Sequence, residues 1–272
     1  MTLGKGGLAM SVSSSAGTGR TTTVGKIVLL LEAVAMSESA VGVRQLARDT
    51  RTDKSAVSRL LQQLESMAVV EQTSVSGQFS AGPRLFALAA SLRERDSLWR
   101  AAEPVLRGLM KQFNESCYLT TRDHDSIVFR ERIECTHSIR YVIEQGARSP
   151  LHAGAGGRAI LSGLAAEEVE KMLVGSPLEQ VTADTVVDPD EVRRQVARDR
   201  DQGFSLSQGE RSVGGCGIAA PYFSASGECS GSLLYTCPIE RFDLRRAPEI
   251  GAAVAAAADA LSSRLGHSAW AS

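Results

Sequence analysis

Asp53-Lys54-Ser55-Ala56-Val57-Ser58-Arg59-Leu60-Leu61-Gln62-Gln63-Leu64-Glu65-Ser66-Met67 decides how the first part of the chain is read. Val57, Leu60, Leu61, Leu64 and Met67 recur at the spacing of one helical face. Asp53 stands where a side-chain oxygen can cap the first free N–H groups. The opposite face carries Lys54, Ser55, Ser58, Arg59 and Gln62, side chains suited to phosphates and to base edges in a major groove. Any solvated helix can show a charged face, so the neighbouring segments must decide its use.

Upstream, Ile27, Leu30, Leu31 and Val34 mark a helix that Thr22 or Thr23 can cap and that Ser37-Glu38-Ser39 ends. Val43, Leu46 and Ala47 mark a shorter helix, broken at Thr50-Arg51-Thr52. Downstream the pattern favours strands. Val69–Thr73 reads as one strand, Ser74–Gly77 as a turn, and Gln78–Ala81 as a return strand closed by Gly82-Pro83. Three helices with a short turn before the last, followed by a hairpin, make a winged helix-turn-helix. Arg44, Arg48 and Arg51 add positive charge, and Gly77 and Gln78 at the hairpin tip can reach phosphate or the minor groove.

The whole chain has 272 residues, enough for two domains, and its 43% hydrophobic and 22% charged residues suit a globular protein. Residues 1–20, rich in Gly, Ser, Thr and Ala, read as a flexible tail. No apolar stretch approaches the length of a membrane span, and the first residues lack the apolar core of a secretory signal. A cytoplasmic protein is expected, with no membrane partner. The net charge of −1 hides an asymmetry: residues 1–95 carry +4 and residues 96–272 carry −5. A basic part that meets a polyanion and an acidic part with another task fit that split.

Leu85, Leu88, Ala89 and Leu92 continue a helical face into Arg93-Glu94-Arg95-Asp96, the best linker candidate. A second helix presents Leu106, Leu109, Met110 and Phe113. Beyond it the pattern mixes strands and helices. Strands are expected at Cys117–Thr121, Ile127–Ile133, Ser138–Ile143, Ile218–Phe223 and Ser230–Thr236. Helices are expected after the loop at Leu151, from Asp188 to Gly203, and over the Ala-rich stretch from Asp243 to about Leu265. Strands met as hairpins argue for an α+β sheet.

Two glycine-rich segments invite chemical readings. Gly154-Ala155-Gly156-Gly157-Arg158-Ala159 matches G-x-G-x-x-A, but Pro150 and the early carboxylates Glu167 and Glu168 speak against a dinucleotide site. A carboxylate ligand at a helix N-terminus and a plain tight turn both remain open. Val213-Gly214-Gly215-Cys216-Gly217 permits close approach of ligand or backbone. A nucleophilic Cys216 would need a base, and no histidine is near it in sequence. The other cysteines, Cys117, Cys135, Cys229 and Cys237, form no C-x-x-C, and the four histidines are scattered. No catalytic residue, metal or cofactor is expected.

These residues together resemble the isocitrate-lyase-regulator (IclR) family of bacterial transcription factors. The resemblance rests on Val43–Arg48, Lys54–Glu65 and Gln78–Leu85 in the first part. In the second it rests on Pro150–Ala153, Gly157–Leu161, Asp201–Ser205, Gly209–Arg211, Gly217–Pro221 and Pro238. It implies a winged helix-turn-helix over 21–82, a linker helix over 83–98, and a GAF-like effector-binding and oligomerisation domain over 99–267 with a mostly antiparallel sheet. It implies a homodimer or dimer of dimers on double-stranded operator DNA, and a repressor role in catabolic or metabolic genes is its functional expectation. The effector it implies is a small organic or aromatic acid, held by Gly156, Gly157, Ser207, Gly215, Gly217, Leu234 and Thr236. The DNA contacts are expected from Arg44, Arg51, Lys54, Ser55, Ser58, Arg59, Gln62, Gly77 and Gln78.

The chain departs from relatives in two places. Relatives carry Thr-Gly-Leu-Pro before the recognition helix, where this chain has Thr50-Arg51-Thr52-Asp53. Ser207, Gly217 and Leu234 stand where binders of small acids often have polar groups, which points to a ligand larger or more apolar than pyruvate or glyoxylate. A cysteine-based redox sensor and a small-molecule enzyme with a helical accessory domain are the alternatives.

Overall fold

The computed structural model describes residues 22–37, 39–73 and 76–267. The expected tail over 1–20, Glu38 and the first half of the hairpin turn lie outside the described residues. The chain divides into two units, Met1–Asp96 and Ser97–Ser272.

The first unit begins with α1 (Thr23–Ala35), capped by the Thr22 hydroxyl, which accepts from the Gly25 N–H. Next come α2 (Val43–Asp49), α3 (Lys54–Ser66), β1 (Val70–Gln72), β2 (Phe79–Ala81) and α4 (Pro83–Glu94). β1 and β2 pair antiparallel, and Val41 adds a bridge to Phe79. Leu30, Leu46, Val57 and Leu61 are completely buried in one core with Phe79. Each such side chain contributes about 1.5–3 kcal/mol relative to an exposed one. The apolar face of α3 is spent there, which leaves its polar face outward. Gly82 lets the chain turn into α4, since a Cβ there would meet the Ala68 carbonyl oxygen at 2.5 Å. Pro83 then opens α4 at the position where a missing N–H costs nothing. No residue of α4 is buried, so the apolar face expected of it finds no cover within the described chain.

The second unit contains α5 (Ser97–Phe113), β3 (Ser116–Asp123), β4 (Ser126–Ile133), β5 (Arg148–Pro150), α6 (Ala155–Ser162), α7 (Ala166–Gly175) and α8 (Pro189–Gln202). β6 (Ser205–Gln208), β7 (Gly215–Phe223), β8 (Cys229–Pro238) and α9 (Ala247–Arg264) complete it. The sheet order is β5-β4-β3-β8-β7-β6, and every pairing is antiparallel. Leu119, Ile218, Leu233 and Tyr235 pack with Leu106, Val254 and Leu261 of α5 and α9 on one face. Tyr118, Phe129, Ala219 and Leu234 pack with Ile160, Val192 and Val196 of α6 and α8 on the other. Strand periodicity sorts alternate residues of β8 to opposite faces. The fold is α+β, a helix-turn-helix unit joined to one built on an antiparallel sheet.

Two expectations need correction. Ser138–Ile143 is not a strand. Side chains take over the bonds a ladder would supply: the Ile143 N–H donates to the Tyr118 hydroxyl at 3.1 Å, and Arg132 Nη1 donates to the Ile143 carbonyl at 3.0 Å. The edge of β4 pairs instead with β5, where Pro150 is tolerated because β5 is the last strand of the sheet. The helix α7 and the strand β6 were not foreseen. The linker expected as one helix over 83–98 is divided: α4 ends at Glu94 within the first unit, and α5 starts at Ser97 in the second.

Candidate functional site

The first candidate surface is the outward face of α3. Asp53 Oδ1 accepts from the Ser55 N–H at 2.8 Å, the Ala56 N–H at 3.3 Å and the Ser55 hydroxyl at 2.5 Å. The Ser55 hydrogen bond and those from the two backbone N–H groups hold the Asp53 carboxyl below its ordinary range. Ser55 thus spends its proton on the cap and offers only its lone pairs outward. Lys54, Ser55, Arg59 and Gln62 are exposed and Ser58 is half-buried. Arg44 is exposed on α2. At the hairpin Gly77 is exposed and Gln78 half-buried, and Gly77 takes φ +64°, a left-handed turn position.

Arg51 occupies the turn between α2 and α3 with φ +51°. The Thr52 N–H donates to the Ala47 carbonyl at 3.0 Å and the Arg51 N–H to the Arg48 carbonyl at 3.2 Å. That is the Schellman pattern of helix ending, in which the left-handed position usually falls to glycine. The backbone of the turn keeps the glycine conformation, and an exposed arginine carries it.

The second candidate is a cleft in the sheet unit, holding about 510 Å³ of space partly open to solvent. Gly156 and Gly157 of α6, Ser207 of β6, Gly215 and Gly217 of β7, and Leu234 and Thr236 of β8 all line it. Ile127, Phe129, Tyr141, Ile143 and Arg211 line it too, and the sequence reading had not singled them out. The non-strand segment around Tyr141 is pinned beside the cleft, since the Tyr118 hydroxyl donates to the Tyr141 carbonyl at 3.0 Å and the Tyr141 hydroxyl to the Val213 carbonyl at 2.5 Å.

The glycines have packing reasons as well. A Cβ on Gly157 would lie 2.4 Å from the Leu151 carbonyl oxygen, and one on Gly156 2.9 Å from Ile127 Cδ1. A Cβ on Gly217 would meet Leu234 Cδ1 at 3.2 Å. The N-terminus of α6 is already in part occupied. The Ala155 N–H donates to Ser207 Oγ at 2.8 Å, and the Gly154 N–H donates to the Glu210 carboxylate. The G-x-G-x-x-A match is therefore a tight turn closed by protein acceptors, preceded by an antiparallel edge strand.

Beneath the cleft lies a buried ion-pair group. Arg158 Nε donates to Asp199 Oδ2 at 2.7 Å, and Nη1 donates to Glu210 Oε2 at 2.8 Å and to Gln195 Oε1 at 3.0 Å. Its Nη2 also donates to the Leu206 carbonyl. Burial works against the Arg158 charge, but Glu210 and Asp199 outweigh it and hold its pKa above the ordinary value. Burial pushes the Glu210 carboxyl upward despite Arg158, so this carboxylate is costly to place and depends on its partner.

Cys216 and Cys237 sit opposite one another on β7 and β8, in the core shared with α5 and α9. The hydrogen bond to Cys237, together with burial, pushes the Cys216 thiol upward, opposite to what a nucleophile needs. Burial pushes Cys229 up to about 12. Among the described residues no group of three or more metal-ligating side chains comes together. No helix of the described residues is long and apolar enough to cross a membrane.

Comparison with known proteins bears on both candidates. Residues 90–263 match the family described as bacterial transcriptional regulator IclR C-terminal, and residues 23–74 match the IclR helix-turn-helix domain. The chain belongs to the IclR family. It is 29% identical over 257 residues to the transcriptional repressor IclR of Escherichia coli, covering 93% of each chain. It is 30% identical over 233 residues to the regulator BhcR of Paracoccus denitrificans, covering 86% of this chain and 83% of the relative. An IclR homologue from Microbacterium hydrocarbonoxydans, solved with 4-hydroxybenzoate, shares the fold. Its TM-score is 0.75 at 24% identity, over 90% of this chain and 99% of that one.

Like the rest of the IclR family, the chain is a transcriptional regulator with a helix-turn-helix domain and an effector-binding domain. The α3 face lies in the first of these and the cleft in the second.

Proposed function

We propose that the protein represses catabolic or metabolic genes by binding double-stranded operator DNA, and that a small organic or aromatic acid in the cleft of the sheet unit controls it. The observation that carries this reading is the convergence of seven residues from four elements on one cleft in the unit that carries no DNA-reading helix. Lys54, Arg59 and Gln62 on the exposed face of α3 read the major groove, while Arg44, Arg51 and the Gly77-Gln78 turn touch phosphate or the minor groove. Ser55 and Ser58 contribute at the edge of that face.

The cleft offers few charged groups and several apolar ones. Ser207, Gly217 and Leu234 favour a ligand larger or more apolar than pyruvate or glyoxylate. The 4-hydroxybenzoate bound by the Microbacterium homologue is of that kind. The protein works in the cytoplasm as a homodimer or dimer of dimers. The uncovered apolar residues of α4, with Phe86 65% and Leu92 73% exposed, support association between copies.

The test is retention of genomic fragments by the protein, sequencing of those fragments, and gel-shift titration of the recovered operator at fixed salt. Arg59→Ala weakens operator binding by about 1–3 kcal/mol if Arg59 reads a base. Unchanged affinity removes Arg59 from the interface. Thermal-shift screening tests the ligand, and a response to two- and three-carbon acids alone defeats the larger, apolar ligand.

A further inference from the structure

Two arginines of the sheet unit, Arg158 buried and Arg211 half-buried, are treated differently by the chain. Arg158 is surrounded by acceptors, with two carboxylates, an amide and a carbonyl on its guanidinium. Arg211 follows directly after one of those carboxylates and has none of its own. Glu210 points to Arg158, and the Arg211 Nε is sealed from solvent with no hydrogen-bond partner. The guanidinium makes one long hydrogen bond among the described residues, from Nη1 to Ser212 Oγ at 3.4 Å. Its Cζ lies 4.3 Å from the centre of the Phe129 ring.

A cation stacked on an aromatic face recovers only part of what burial costs it. The cost shows in the pKa of Arg211, which burial pulls down to about 10, still cationic at neutral pH. Arg211 and Phe129 both line the cleft. The geometry is that of a counter-ion site lacking its anion.

We propose that Arg211 is the residue that selects the ligand, and that the cleft takes a monocarboxylate with a flat apolar body whose carboxylate pairs with this guanidinium. The body lies along Phe129, Ile127 and Leu234, which are apolar and largely buried. One carboxylate is the limit. Arg158 has its charge engaged by Asp199 and Glu210, so a second ligand carboxylate would be buried without a partner. The inference rests on the reading of the cleft as the effector site, and it goes further by naming the group that recognises the acid and the charge the ligand must carry.

The test is calorimetric titration of the full-length protein with benzoate, hexanoate, benzamide and phthalate, repeated with Arg211→Met and Arg211→Lys. Wild type binds at least one of the two monocarboxylates, and binds benzoate about ten- to a hundredfold more tightly than benzamide, the factor expected of a charge-assisted hydrogen bond. Phthalate binds more weakly than benzoate. Arg211→Met loses the preference for benzoate over benzamide and melts no lower than wild type without ligand, because it removes a half-buried charge whose Nε has no partner. Arg211→Lys retains part of the preference. A merely structural arginine would lower the melting temperature on replacement and leave the order of the ligands unchanged.

The inference is overturned if neither monocarboxylate binds wild type at millimolar concentration, if benzamide equals benzoate, or if Arg211→Met binds benzoate as wild type does. Operator gel shifts with and without benzoate separate the two levels. Arg211-dependent binding that leaves DNA affinity unchanged keeps the inference and refutes the effector reading. A benzoate effect on DNA that survives Arg211→Met does the reverse.

Discussion

Replacing Arg51 by glycine separates stability from DNA affinity. Arg51 sits at φ +51° in the turn before α3, closed by hydrogen bonds to the Ala47 and Arg48 carbonyls. A left-handed conformation costs an ordinary L-residue about 1–2 kcal/mol. Glycine removes that cost but frees the unfolded chain, returning about 0.4–1 kcal/mol. The net gain for the helix-turn-helix unit is about 0.5–1 kcal/mol. For a unit of this size that raises its melting temperature by about 2–8 °C. Scanning calorimetry of the full-length chain measures it. Arg51→Ala keeps the strain and loses the charge, whereas Arg51→Asn tolerates the turn better. If Arg51 touches phosphate, all three variants bind operator more weakly and their salt slope falls by about one. The reasoning fails if glycine leaves the melting temperature unchanged or lowers it. An unchanged salt slope in all three removes the phosphate contact.

Arg158→Met strands Asp199 and Glu210 in the interior. It destabilises the sheet unit by about 3–5 kcal/mol, read from urea unfolding, and a loss below about 1 kcal/mol would show that water reaches the carboxylates. His152 is buried, its Nε2 lies 2.8 Å from the Glu179 carbonyl oxygen, and burial holds its pKa below the ordinary value. The unfolded chain therefore binds this proton more readily, so stability is full above the ordinary histidine range and falls as pH drops through it. His152→Gln flattens that part of the pH–stability profile, and an unchanged slope would assign it to another group.

The helix-turn-helix unit was legible because its signals are local. The spacing of Val57, Leu60, Leu61 and Leu64 and the cap at Asp53 lie within one stretch of chain. The sheet unit was read less well because its strands depend on distant partners. Ile139, Tyr141 and Ile143 alternate as a strand would, yet the edge of β4 goes to Arg148–Pro150. β6 was missed because it turns Ser205 and Ser207 inward, reversing the usual pattern. α7 was missed because Ala165 stands at its N-cap and supplies no side-chain signal. The seven cleft residues came from positional resemblance, and the structure gathers all of them around one space. Arg211 stood in the sequence only as part of the Gly209–Arg211 match, and a ligand role for it was hidden for a different reason. Its distinction is a missing partner, which only coordinates reveal.

The bare surface of α4 has a kinetic consequence. This helix spans 12 residues and buries none of them within its own chain. Isolated helices of about that length are marginal in water. Its amide protons therefore exchange with solvent readily in a lone subunit, even while the cores on either side stay closed. Any neighbour that covers Phe86, Leu88 and Leu92 slows that exchange, and the slowing grows with protein concentration. If copies associate through this helix as proposed, the exchange rate of this one segment gauges that association, readable by deuterium uptake before any ligand or DNA is known.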